Sequence, residues 1–296
     1  MIKFLISVLK RKIVMWHYKS IKRAYTKSFY PYLKYNDTIT DAWYIFEEYE
    51  KNINNFIDSY TTRGYKNFFI DIGANIGLTT LSNSSKFDDI YCFEPNSLVF
   101  NILKTNIAMS SDENKITLFN VGLGLTRGKY NLKIPRHNFG GAFVEKDNAY
   151  NKETLLEKEG FLDEKSENYI DTIIDIESKD FLEKNVTSKL EKSSEGIVKI
   201  DVEGYELQIL ELILNTINVK KLVIIFENWQ KIDQKIIEKM VIQNSSFSSF
   251  KIKYIKWLNS YYDKLRLKSI YSNPIPLDRN NPNIPEKCDI ILEVEN

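Results

Sequence analysis

The chain has 296 residues, 43% of them hydrophobic and 27% charged, with a formal net charge of +1. That length carries one good-sized core plus appendages, and the near-neutral balance speaks against a general nucleic-acid binder. Cys92 and Cys288 lie in apolar, strand-like runs without C-x-x-C spacing, which argues against a zinc ribbon or a disulfide framework and for a reducing, cytoplasmic setting.

Residues 1–35 are basic throughout, and Ile2, Leu5, Ile6, Leu9 and Ile13 fall at helical spacing. An amphipathic helix is expected there. It reads either as a peripheral contact with the inner membrane face, helped by Trp16 and Tyr18, or as a helix packed on its own domain with a solvated basic face. Phe4 to Leu9 is too short a core for a secretion signal, and no run approaches the roughly 18 apolar residues of a membrane span. A second helix is expected over 38–58, with Trp43, Phe46, Tyr49, Ile53 and Phe56 on or near one face. Residues 1–62 thus read as an N-terminal helical extension, and 63–296 as the main domain.

From residue 66 strands and helices alternate. Phe68–Ile72 is a strand; Ile90–Phe93 is the next, stopped by Pro95. Asn96 or Ser97 is placed to cap a helix that buries Leu98, Ile102, Leu103 and Ile107. Ile116–Val121 is a third strand, and 125–135 reads as an irregular or hairpin excursion. Residues 145–196 are polar and read partly as an insertion, with one apolar island at Tyr169–Ile176. Ile197–Asp201 and Lys221–Phe226 are strands four and five, each followed by a helix. Phe250–Trp257 and Cys288–Val294 lack a helix signal between them and are expected to pair antiparallel at one edge. Strands alternating with helices imply a mostly parallel sheet covered on both faces.

The first strand runs into Asp71-Ile-Gly73-Ala74-Asn75-Ile-Gly77. A strand opening on a helix leaves backbone N–H groups facing a polar ligand, and glycine removes the Cβ atoms that would hold the ligand away. A close-packed corner would use the same glycines. The spacing is not the dinucleotide fingerprint G-x-G-x-x-G, and Asn75 is the non-glycine most tolerant of positive φ. Ligands in open α/β sheets lie outside the carboxyl ends of the strands, where Asp71, Glu94, Asp201 and Glu227 fall. Glu94, about twenty residues past the turn, suits the two hydroxyls of a ribose; the alternative is an acid that favours a helix start.

Three blocks, Phe69-Ile-Asp-Ile-Gly-Ala-Asn-Ile-Gly77, Phe93-Glu-Pro95 and Lys199-Ile-Asp-Val-Glu-Gly-Tyr-Glu206, resemble in content and order the signature blocks of the FkbM family of methyltransferases. The likeness covers roughly residues 66–230, and its third block is the most specific. It implies a Rossmann-like, doubly wound sheet of seven strands with the last antiparallel. It also implies S-adenosylmethionine as cofactor: Asp71, Gly73, Ala74, Asn75 and Gly77 line its methionine part and Glu94-Pro95 its ribose. Asn96 and Asn120-Val121 then lie near the adenine. Family members are mostly O-methyltransferases, often acting on sugars of surface glycans or on natural products, so a small-molecule or glycan acceptor is expected and no nucleic acid. No oligomeric state follows.

Methyl transfer from a sulfonium needs an aligned acceptor oxygen and gains from a base that takes the hydroxyl proton. Asp201 is the first candidate, with Glu203 beside it and His137 in a loop able to reach the rim. His137 reads equally as an exposed loop histidine, Glu203-Gly204 as a structural turn, and Glu206 as an acid complementing its helix dipole. Asp201 with Glu227-Asn228 also resembles the magnesium-holding set of catechol-type O-methyltransferases, although no metal is assigned. Two other functions use the same residues: a glycosyltransferase with Asp201-x-Glu203 as a metal–diphosphate clamp, and a non-catalytic binding protein.

Overall fold

The computed structural model describes residues 50–256, apart from 111, 152, 155–165 and 230–231, together with 31, 33, 274–277 and 283–296. The expected basic helix near the N-terminus, the first part of the 38–58 helix and most of the 258–287 loop lie outside the described residues. Among the described residues no helix is long and apolar enough to cross a membrane.

Strand β1 (Phe68–Ile72) is buried along its whole length, as an apolar run at the centre of a parallel sheet must be. It lies between β2 (Asp89–Phe93) and β8 (Glu195–Ile200), with Ile70 opposite Tyr91 on one side and Val198 on the other. Outward from β2 comes β3 (Ile116–Phe119); outward from β8 comes β9 (Lys221–Asn228). Strand β12 (Cys288–Glu295) then inserts antiparallel between β9 and β10 (Ser249–Lys256), and the two-residue β11 (Ile275–Pro276) closes the edge. The doubly wound, mostly parallel sheet is therefore as expected, with that short eighth strand added. The last strand is antiparallel but interior, with β10 outside it. Cys92 and Cys288 are free and buried, and burial raises both thiols.

Helix α1 (Lys51–Thr61) covers one face of this sheet: Ile53, Phe56, Ile57 and Tyr60 pack with Phe69, Ile90, Ile197, Val223 and Ile291. Full burial of an apolar side chain stabilises by about 1.5–3 kcal/mol, so this helix belongs to the core, not to an appendage ending at residue 62. Helix α2 (Leu78–Asn83) follows the glycine turn. Helix α3 (Ser97–Ala108) is capped by Asn96, whose Oδ1 accepts from Leu98 N at 3.1 Å. It buries Val99, Leu103 and Ile107, while Leu98 is 51% exposed, so the apolar face is turned one residue from the expected phase.

The second sheet is the main departure from expectation. Residues 125–135 follow the hairpin reading and not the irregular one: they hold β5 (Gly128–Pro135), paired antiparallel with β7 (Tyr169–Glu177), the expected apolar island. Flanked by β4 (Gly122–Leu123) and β6 (Phe143–Val144), they form a four-stranded sheet in the order β4-β7-β5-β6. Its apolar face, Leu123, Leu132, Val144, Ile174 and Ile176, joins the core cluster of Ile72, Phe93 and Ile200, the residues at the carboxyl ends of the main strands. This sheet, running from Gly122 to Glu177, takes in both the 125–135 excursion and part of the 145–196 insertion and forms a roof over the rim. Helices α4 (Lys179–Asn185), α5 (Glu206–Thr216) and α6 (Gln234–Asn244) complete the described fold.

Candidate active site at the strand ends

The glycine turn is held by its own donors. Gly73 N and Ala74 N both donate to Phe93 O at 2.9 and 3.0 Å, and Gly77 N donates to Ala74 O at 2.9 Å. Asn75, at φ 52, donates from its N–H to Glu94 Oε2 at 3.0 Å, and its Oδ1 accepts from Ile76 N at 2.8 Å. All five N–H groups from 73 to 77 are therefore engaged within the protein. The expected ring of donors facing an anion does not exist, and with it goes the phosphate-cradle use of such a turn.

Glycine is needed here for packing. A Cβ on Gly73, at φ 81, would fall 1.9 Å from Asp201 O, and one on Gly77 would meet Leu103 Cδ1 at 2.6 Å. Gly77 and Asp71 do not reach the cavity described below. Gly77 lets α2 approach α3, while Asp71 is fully buried, its Oδ2 accepting from Thr80 Oγ1 at 2.6 Å. Ala74 is likewise core, and Asn96 is a buried cap.

A cavity of about 260 Å³ lies between the strand ends and the roof, near the lower end of the roughly 300–1,000 Å³ usual for small-molecule sites. Of the expected residues, Gly73, Asn75, Glu94, Pro95, Val121, Asp201 and Glu203 line it. His137 is exposed and outside the wall, although Asn138 to Ala142 of the same loop close that side. The wall has two chemistries. Toward β3 and the roof it is apolar, with Phe93, Val121, Leu123, Leu132, Val144, Ile174 and Ile176. Toward β1, β8 and β9 it carries Glu50, Asp201, Glu203 and Glu227. Glu94 stands between, its Oε1 accepting from Asn96 N at 2.8 Å and its Oε2 from Asn75 N. An ionised carboxylate has about four lone-pair sites, so two remain for a diol.

Behind the acidic side lies Lys199, buried beneath the turn. Its Nζ is 3.0 Å from Asp201 Oδ2 and 3.8 Å from both Asp71 Oδ1 and Glu50 Oε2. One ammonium thus offsets several carboxylates and aims Asp201 at the rim. Asp201, Glu203 and Glu227 bring carboxylate oxygens within 4.8 Å of one another, an arrangement that repels unless a proton or cation lies among them. Asn228, next along β9, is buried, and its Nδ2 donates to Pro285 O at 3.0 Å.

Glu203 is held at φ 55. Asn148 donates to Glu203 O at 2.9 Å and to Val144 O at 2.8 Å, so the roof fixes this turn. Glu206 accepts from Gly204 N at 3.0 Å with both oxygens and from Tyr150 Oη at 3.1 Å. It locks the turn and does not face the cavity.

Burial pushes the carboxyls of Glu94 and Glu50 up from 4.5 to about 7; backbone donors at Glu94 and Lys199 beside Glu50 offset it only in part. A carboxyl with a raised folded pKa holds its proton more tightly in the folded chain. The stability it contributes is fully present below about pH 4.5 and lost as pH rises through about 7. The ligand-free protein is therefore expected to melt higher at pH 5.5 than at pH 8, each carboxyl contributing about 2–3 kcal/mol across its full shift. Scanning calorimetry of wild type and Glu94→Gln checks this: the variant should lose roughly half the pH slope, and an identical slope would clear Glu94 of any part in it.

The wound sheet thus carries at its strand ends a cavity that is apolar toward β3 and the roof and acidic toward β1, β8 and β9. Residues 71–258 match the sequence profile of the Methyltransferase FkbM domain, and the chain belongs to that family. Several solved structures are similar to it in fold. The methyltransferase FkbM of Methylobacillus flagellatus KT has 13% identity and a TM-score of 0.40, over 77% of this chain and 43% of that one. The chain therefore spans less than half the length of that relative. An rRNA methylase from Streptococcus thermophilus has 11% identity and a TM-score of 0.39, over 83% and 98%. A SAM-dependent O-methyltransferase from Thermotoga maritima has 8% identity and a TM-score of 0.38, over 83% and 65%. No curated protein matches this chain in sequence.

Two site features lay outside the sequence reading. Glu50 reaches the cavity from the start of α1, and nothing in its local sequence distinguishes it from a solvated helix acid. Lys199 was visible inside its motif, but its role follows only from three carboxylates converging on it in space.

Proposed function

We propose that this chain transfers the methyl group of S-adenosylmethionine to a hydroxyl on a sugar, glycan or related small molecule by in-line displacement. The observation that carries this reading is charge. The acidic side chains of the cavity wall number five, with no lysine or arginine among the described lining residues, and the turn donors are already engaged. A cofactor bearing a sulfonium and an ammonium is attracted to such a wall; a bare diphosphate is repelled. Glu94 faces the ribose diol, Pro95 and Val121 with the roof enclose the adenine, and Gly73 and Asn75 border the methionine part. The cofactor supplies the activated methyl group, and the chain supplies alignment, exclusion of water and a base. Asp201 is that base, its Oδ2 3.0 Å from Lys199 Nζ and its side chain aimed at the acceptor side, with Glu203 orienting the hydroxyl. Ionised carboxylates accept hydrogen bonds only, which suits an acceptor rich in hydroxyl donors.

Isothermal titration of the protein with S-adenosylhomocysteine, and separately with a nucleotide sugar plus manganese, tests the reading. Binding of the first alone is expected. Binding of the second alone would transfer Asp201, Glu203 and Glu227 to the metal clamp of a glycosyltransferase.

A further inference from the structure

Glu50 has no task in the account so far, and it lies outside the residues that match the family. It precedes α1 at φ 48, which turns the chain so that its side chain passes under α2. Its Oε2 accepts from Thr79 Oγ1 at 2.6 Å, in the first turn of the helix after the glycine turn, and lies 3.8 Å from Lys199 Nζ. The carboxylate therefore stands on the β1/β8 side of the turn, whereas Glu94 and Val121 stand on the β2/β3 side. It lines the same cavity as they do.

A nucleoside whose ribose meets Glu94 and whose base meets Val121 must extend its amino-acid end across Gly73 toward Glu50. We propose that Glu50 receives the α-ammonium group of the cofactor's methionine part, an assignment that rests on the S-adenosylmethionine reading above. The groups facing Glu50 are Thr79 from α2, Asp71 from β1, and Lys199 and Asp201 from β8 and its end. Lys199 sits nearer Asp201, at 3.0 Å, than Glu50, so Glu50 keeps capacity for a second cation. Burial disfavours its charge, and an ammonium ligand offsets that penalty with a charge-assisted hydrogen bond.

The test compares ligands with and without the ammonium group. By calorimetry, Glu50→Gln in the full chain is expected to weaken S-adenosylhomocysteine by about 10- to 100-fold. It should change 5′-methylthioadenosine, which keeps the adenosine and sulfur but lacks the amino-acid end, by less than about threefold. Retained methylthioadenosine binding also shows that the variant is folded. Should Glu50→Gln not fold, wild type is titrated with S-adenosylhomocysteine and its desamino analogue, and the same 10- to 100-fold gap is expected. Equal losses for both ligands, unchanged S-adenosylhomocysteine affinity, or no gap for the desamino analogue would each overturn the assignment. Wild type binding neither nucleoside would instead remove the cofactor reading on which it stands.

Discussion

Gly73→Ala is expected to lower the melting temperature by about 10 °C or more, not merely to weaken the cofactor. A side chain at φ 81 costs about 1–2 kcal/mol on its own account. The larger part is steric: the new Cβ would sit 1.9 Å from Asp201 O and 2.9 Å from Asp201 C. Those are backbone atoms with nowhere to go, because Asp201 N donates to Ile72 O at 3.0 Å and Ile72 is registered against Ile200 in the central strand pair. Relief requires spreading β1 from β8 at the centre of the sheet. Gly77→Ala provides the comparison, since its Cβ meets the mobile end of Leu103 at 2.6 Å under a similar φ of 88. Its loss should be clearly smaller. Thermal unfolding of the two variants decides the matter, and a Gly73→Ala protein melting within about 2 °C of wild type would place the strain elsewhere.

The same glycine shows where reading a sequence stops. Gly73, Asn75 and Gly77 announced a turn with positive φ, and the structure has φ values of 81, 52 and 88 there. Close packing was one of the two readings of these glycines, but the neighbour that demands it at Gly73, Asp201, lies 128 residues away along the chain and could not be named. The central strands were legible as apolar runs buried on both faces, and Glu94 was legible by its distance from the turn. The roof was not. Two of its strands, Gly122–Leu123 and Phe143–Val144, have two residues each, too few to display an alternation. Strand β5 does alternate, with Tyr130, Leu132 and Ile134 turned toward the core between Lys129, Asn131 and Lys133, as a hairpin strand should. His137 illustrates the opposite error: the right loop closes the cavity, but with Asn138 to Ala142, while the imidazole lies outside the wall.

Asp201→Asn is expected to reduce methyl transfer by about 10²–10⁴-fold, the usual contribution of a general base, while leaving the fold and cofactor affinity nearly unchanged. The substitution keeps the shape of the side chain. Lys199 still has Asp71 and Glu50 within 3.8 Å, so no buried ammonium is stranded. The wall keeps Glu50 and Glu94 for the cofactor, and the backbone of residue 201 still packs on Gly73. What disappears is the carboxyl group at the end of β8 that would take the proton, on the side of the cavity away from the adenine. The measurement is single-turnover transfer of labelled methyl from S-adenosylmethionine to a sugar acceptor, with S-adenosylhomocysteine affinity determined in parallel. Glu203→Gln, a change in the neighbouring carboxylate, should cost less, because that residue orients the hydroxyl and does not take its proton. A rate for Asp201→Asn within about threefold of wild type would remove it as the base. The reverse ranking would move the proton to Glu203, whose strained φ of 55 and tether to Asn148 would then be the means of aiming it.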